Sequence, residues 1–177
     1  MNVDYKALPD IRGEDEKLWI RPARDEDIEF MINLRNDPYI KERFVYRKDF
    51  TLMSQKNWMD NMVYTGKVIQ YIVFYDDKKM GCTYYLPVED REDEVELGIY
   101  LDPNYVGKQI GRKLTHLFCD LARDLGFNAV IARVIETNPA SYRMLMAAGF
   151  NEESTFTQIS EPSGKELNMK MMRFPLR

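Results

Sequence analysis

Histidine, cysteine and long apolar runs are scarce in this 177-residue chain. The one histidine, His116, falls away from the apolar stripe of its helix and has no Cys, Asp or His set beside it, so no metal site is expected. Cys82 and Cys119 are the only cysteines, which fits a reducing compartment and points to the cytoplasm. No apolar run approaches the roughly 20 residues that span a bilayer, so no membrane partner is expected. The opening stretch MNVDYKALPDIRGEDEK mixes charges and lacks an apolar core, so it is not expected to be a secretory signal peptide. Residues 1–16 read as a flexible leader, or as a flap packed late onto the domain. Basic residues are outnumbered, 25 against 29 acidic ones, for a net charge of −4. That balance argues against general nucleic-acid binding and is compatible with a cationic amine as partner.

What remains is ordinary globular material. The chain is 45% hydrophobic and 31% charged, with no internal repeat and no linker, so residues 17–177 read as one domain. Residues 17–21 form a first strand ended by Pro22, and Asp25 can cap a helix through Ile28, Met31 and Ile32. Asn36-Asp37-Pro38 stops that helix. Residues 38–50 are rich in aromatic and basic groups without a clean period, and Thr51 starts a second helix. Residues 68–75 are apolar on both faces, the mark of a covered strand, and a hairpin returns through 80–88. The acidic run Glu89 to Glu94 reads as a solvated hairpin turn.

The stretch EVELGIYLDPNYVGKQIGR, residues 94–112, organises the rest. Glu94 to Leu101 alternates as a strand, with Val95, Leu97, Ile99 and Leu101 on one face. Proline at 103 stops it. A helix follows, its stripe carried by Ile110, Leu114, Leu117, Phe118, Leu121 and Leu125. Amides of a first helical turn have no intrahelical partner, and with the helix dipole they make an anion site, here flanked by Lys108, Arg112 and Lys113. Two bland roles stay open: Gly107 can simply shape the turn, and Gly111 can simply let the helix lie close to the sheet. Residues 128–135 form a further strand, and Asn138-Pro139 starts a short helix with a cap followed by proline. Two strands joined by Glu161-Pro-Ser-Gly164 close the chain. The order β-α-α-β-β-β-α-β-α-β-β predicts an α/β (α+β) fold, a mixed central sheet of about seven strands with helices on both faces.

With the glycine loop after the fourth strand and NPASYRMLMAAGF after the fifth, this order resembles the GNAT superfamily of acetyl-CoA-dependent N-acetyltransferases over residues 17–174. The family's Arg/Gln-x-x-Gly-x-Gly/Ala motif falls on Val106-Gly107-Lys108-Gln109-Ile110-Gly111, with departures at Val106 and Gln109. Asn138, Ser141 and Gly149-Phe150 stand at the spacing of the subgroup resembling ribosomal-protein N-terminal acetyltransferases. Leu18-x-x-Arg21-Pro22, Arg35-Asn36-Asp37 and Trp58 are similar to that subgroup and to related amino-sugar and polyamine enzymes.

The resemblance implies acetyl-CoA as donor, no metal, and a primary amine as acceptor, either a small molecule or a peptide N-terminus. It also implies an acyl-CoA N-acyltransferase fold, as a monomer or homodimer. By resemblance, the backbone of Ile99, Tyr100 and Leu101 would pair with the pantetheine arm. Val106, Gly107, Lys108, Gln109, Ile110, Gly111 and Arg112 would hold the pyrophosphate, and Asn138 would contact the pantetheine. Leu145 stands where many relatives carry a tyrosine acid, so Ser141 becomes the candidate acid, with helix packing or a CoA hydrogen bond as its other reading. Glu96 is the candidate base, draining the amine's proton through water or holding a cationic substrate. The departures at Val106, Gln109 and Leu145 motivate an alternative, a catalytically weak CoA-binding regulatory module.

Overall fold

A computed structural model of the chain describes residues 1, 3–14, 16–105 and 109–177. Its elements are β1 (Ile11–Arg12), β2 (Leu18–Pro22), α1 (Ile28–Asn36), α2 (Pro38–Lys41), α3 (Leu52–Trp58), β3 (Ile69–Tyr75) and β4 (Lys78–Val88), followed by β5 (Arg91–Leu101), α4 (Ile110–Asp124), β6 (Ala129–Ile135), α5 (Pro139–Ala147), β7 (Asn151–Ile159) and β8 (Glu166–Pro175). The strands form one sheet in the order β1-β2-β3-β4-β5-β6-β8-β7. Every neighbouring pair is antiparallel except β5 and β6. The mixed sheet covered by helices on both faces is the expected architecture, with eight strands instead of about seven. The additional strand is β1, which pairs Ile11 with Ile20. Two residues carry no period, so composition alone gave no sign of it.

Residues 1–16, expected as a leader or flap, hold defined contacts where they are described. Tyr5 is buried, with its hydroxyl 2.6 Å from the Gln70 carbonyl and 3.1 Å from that of Ala23. Val3 N–H donates to the Gly66 carbonyl at 3.2 Å. Gly66 has φ of 72°, and a Cβ there would run into the Val3 backbone, so this approach requires glycine.

The acidic run is a turn only at its start, where Asp90 adopts φ of 61°. From Arg91 onward it belongs to β5, and Glu94 is buried, held by Arg91 at 3.2 Å and by Arg173 of β8 at 2.8 Å. Strand alternation then sorts the rest of β5 between two cores. Val95 and Leu97 pack with Ile110, Leu114 and Phe118 of α4 and Leu145 of α5. Tyr100 packs on the opposite face with Met31 and Leu34 of α1 and Met59 after α3.

Ahead of α1 lies a buried ionic cluster. Asp27 is 0% exposed and accepts from Arg21 at 2.7 and 3.0 Å, from Lys79 at 2.7 Å and from the Arg24 amide at 2.8 Å. It ties β2, the start of α1 and β4 together.

Candidate active site

β5 and β6 are paired only over Glu94↔Ala129, Val95↔Val130 and Glu96↔Ile131. Beyond that point β5 runs on to Leu101 and β6 to Ile135 without pairing to each other, so the sheet opens between them. β4 covers the other edge of β5 as far as Leu101. Among the described residues, the edge of 97–101 that faces the opening therefore has no strand partner, and its amides and carbonyls are available to an extended ligand. A cavity of about 1180 Å³ fills the opening and reaches both faces of the sheet.

The cavity brings together the sequence-predicted residues that are described. Glu96, Ile99, Tyr100 and Leu101 line it from β5, and Asn138 and Ser141 from the start of α5. Gln109, Ile110, Gly111 and Arg112 line it from the start of α4. Val106, Gly107 and Lys108 lie outside the described residues. Gln109 precedes α4 in the left-handed conformation, φ 58°, and Lys113 N–H bonds back to its carbonyl at 3.4 Å. The amides of Ile110 to Arg112 thus belong to the first turn, at the positive end of a 15-residue helix. Gly111 has a packing role as well, against α5 instead of the sheet: a Cβ there would lie 2.5 Å from Met144 Sδ. The Asn138 side chain accepts from Ser141 N–H at 3.3 Å, capping α5, which leaves its NH₂ as the end it can offer a ligand. Leu145 is buried in the core below, 3% exposed.

On the other face the cavity continues into a chamber lined by residues from the 43–50 segment and α3. The Arg35-Asn36-Asp37 triplet builds it. Asn36 clasps the Phe50 backbone both ways, accepting at 2.8 Å and donating at 2.9 Å. Asp37 caps α2 by accepting from Tyr39 N–H at 2.8 Å. Arg35 turns its guanidinium inward, 3.7 Å from the Phe44 ring centre, and burial pushes its pKa below the usual value. The 43–50 segment is tied to the far end of the sheet: Arg47 N–H donates to the Glu161 carbonyl at 2.6 Å, and Ser160 Oγ to the Val45 carbonyl at 3.0 Å.

At the junction of the two faces Glu96 meets Arg133 of β6 through two hydrogen bonds, the Nε one at 2.9 Å and the second through Nη2. Hydrogen bonding to Glu96 raises the pKa of Arg133. Gly98 follows on the same face, and a Cβ there would run into the Tyr84 ring. Burial, with a contribution from the Glu96 charge, pushes the Tyr84 hydroxyl up to about 12, so it stays a neutral donor at ordinary pH. Arg133 and Tyr84 were not singled out from the sequence. The usable signal was a single charge inside the apolar strand AVIARVI.

The family model of the acetyltransferase (GNAT) domain matches residues 17–151. An L-amino acid N-acyltransferase of Escherichia coli is 32% identical over 82 residues, covering 46% of this chain and 48% of that protein. The chain spans less than half the length of two curated relatives it matches, 29% of one and 48% of the other. Among solved structures, the spermidine N-acetyltransferase of Vibrio cholerae in complex with CoA and spermine superposes with a TM-score of 0.82 at 18% identity, covering 90% of this chain and 96% of that one. The ribosomal-protein-alanine N-acetyltransferase of Brucella melitensis gives 0.76 at 24% identity, covering 88% and 98%.

Proposed function

The chain belongs to the GNAT acetyltransferase family, and we propose that it transfers the acetyl group of acetyl-CoA to a primary amine by direct attack in a ternary complex. The observation that carries this reading is the opening of β5 from β6 beyond Glu96, with one continuous cavity reaching the start of α4 on one face and the segment of residues 43–50 on the other. The residues present fit the donor. The free edge of 97–101 suits the amides of a pantetheine arm, and the first-turn amides of α4 with Arg112 suit a pyrophosphate. Acetyl-CoA supplies the thioester carbonyl; the amine nitrogen attacks its carbon, the C–S bond breaks, and the thiolate takes a proton. A backbone N–H of the free β5 edge polarises the carbonyl. Glu96 draws the proton from the amine through water, while Arg133 fixes the carboxylate's position. Ser141, on the cavity wall at the start of α5, delivers the proton to the thiolate directly or through water. Named relatives and neighbours act on or hold an amino acid, spermine or a protein alanine, which supports an amine acceptor in general.

One observation favours a second reading, a CoA-binding module without turnover: the buried Leu145 offers no hydroxyl where many relatives place their acid. An amine panel separates the two. Purified protein with acetyl-CoA is expected to release free thiol when presented with an accepted member of a set of amino acids, polyamines, amino sugars and dipeptides. Binding of acetyl-CoA with no thiol release on any of them would replace the transferase by the module.

A further inference from the structure

We propose that Arg35 is the anchor of an anion subsite in the acceptor chamber, so that the accepted amine carries a carboxylate or phosphate; this rests on the transferase reading. Arg35 is 7% exposed and lines the cavity. Its Nη2 donates to the Tyr46 carbonyl at 3.2 Å, whereas its buried Nη1 has no hydrogen-bond partner among the described residues. Among the described residues no carboxylate pairs with it. The rings of Phe44, Phe50 and Tyr100 stand 3.7, 4.8 and 5.7 Å from the guanidinium carbon, so the cation sits in an aromatic cage without a counter-charge.

A lone buried guanidinium is costly, and buried donors are otherwise satisfied almost without exception. A ligand oxyanion against the guanidinium supplies the missing charge, and a small shift of a caging ring opens Nη1 to the missing bond. The other chamber charges point the same way. Both carboxylates on its wall are engaged, Glu96 with Arg133 and Asp49 with Lys41. Arg43, also on the wall, stacks on Tyr39 with its guanidinium carbon 3.4 Å from the ring centre and has no carboxylate partner among the described residues. A chamber whose uncompensated charge is positive repels a polyamine and holds an anionic amine. Tyr100 stands two residues beyond Gly98 on one strand face, about 7 Å along it. An acceptor with its anion a few bonds from its nitrogen bridges from Arg35 to the opening.

The test compares twins that differ only in the anion: L-phenylalanine with 2-phenylethylamine, L-lysine with cadaverine, and phosphoethanolamine with ethanolamine. The parent is expected to prefer the anionic member of at least one pair by about tenfold to a hundredfold in kcat/KM. Preference within the amino acid pairs assigns carboxylate, and within the last pair phosphate. Arg35→Met is expected to erase the preference through KM for the acceptor, with KM for acetyl-CoA unchanged, and Arg35→Lys to restore part of it. The melting temperature of unliganded Arg35→Met is expected to be no lower than the parent's, since a charge without a partner is removed. Turnover that ignores the anion in every pair, or a preference that survives Arg35→Met, overturns the subsite and leaves the transferase standing. If Arg35→Met does not fold, the twin comparison on the parent and Arg35→Lys decides alone. No turnover with any amine overturns both.

Discussion

Glu96→Gln is expected to lower kcat by about a hundredfold or more, with acetyl-CoA affinity nearly unchanged. The carboxylate lies at the last paired position of β5 and β6, where the sheet opens and the chamber meets the donor side. Its two oxygens face Arg133, and each keeps a lone pair for a water or an amine. Glutamine keeps the shape, removes the proton acceptor and sets an NH₂ against the guanidinium. Arg133→Met separates the roles. If the carboxylate moves a proton, Arg133→Met costs roughly tenfold or less, because the acceptor remains and only its anchoring is lost. Equal losses in both variants would reduce Glu96 to a partner of Arg133 and remove it from the chemistry. Single-turnover acetylation rates, measured with saturating acetyl-CoA, make the comparison.

Asp27→Asn is expected to cost about 3–5 kcal/mol of folding stability at neutral pH, read from urea denaturation. Removing this charge leaves Arg21, which is 7% exposed, and Lys79 without their shared anion. The pH dependence has a definite sign. Burial by itself raises the Asp27 pKa, but hydrogen bonds from Arg21, Lys79 and the Arg24 amide outweigh it and hold the carboxyl below its usual range. A carboxyl with a lowered folded pKa binds fewer protons folded than unfolded. Its contribution is therefore fully present above the unfolded value of about 3.9 and is lost as pH falls through the folded value. The parent should lose stability from about pH 4 downward. Asp27→Asn should lack that component, so the two curves converge in acid; parallel curves would mean that Asp27 is not the group titrating.

Much of this was legible because strong periods survive tertiary context. The α4 stripe from Ile110 and the alternation of Val95, Leu97 and Ile99 are carried by local sequence alone. The start of β5 was not legible, because a run of carboxylates reads as solvated until its partners are known. Glu94 is neutralised by Arg173, 79 positions away, which no local window contains. The charge of the acceptor chamber was hidden for the same reason. Arg35, Tyr100 and Arg133 come from separate elements, and only the fold shows that Arg35 lacks a carboxylate. The net charge of −4 is compatible with a cationic partner, whereas the uncompensated charge inside the chamber is positive. Surface composition does not predict the sign of an interior. Gly111 illustrates a subtler limit, since it both lines the cavity and lies close against Met144 of α5, and a glycine in a sequence does not separate the two.

On the proposed reading, the opening between β5 and β6 holds the pantetheine arm of acetyl-CoA. Calorimetric titration tests it without knowledge of the acceptor, by comparing acetyl-CoA with adenosine diphosphate on the same protein. Tighter binding of acetyl-CoA by about tenfold or more is predicted, since the free edge of residues 97–101 adds hydrogen bonds that the nucleotide cannot make. Equal affinities, or no binding of acetyl-CoA, would mean that the arm does not lie in this opening.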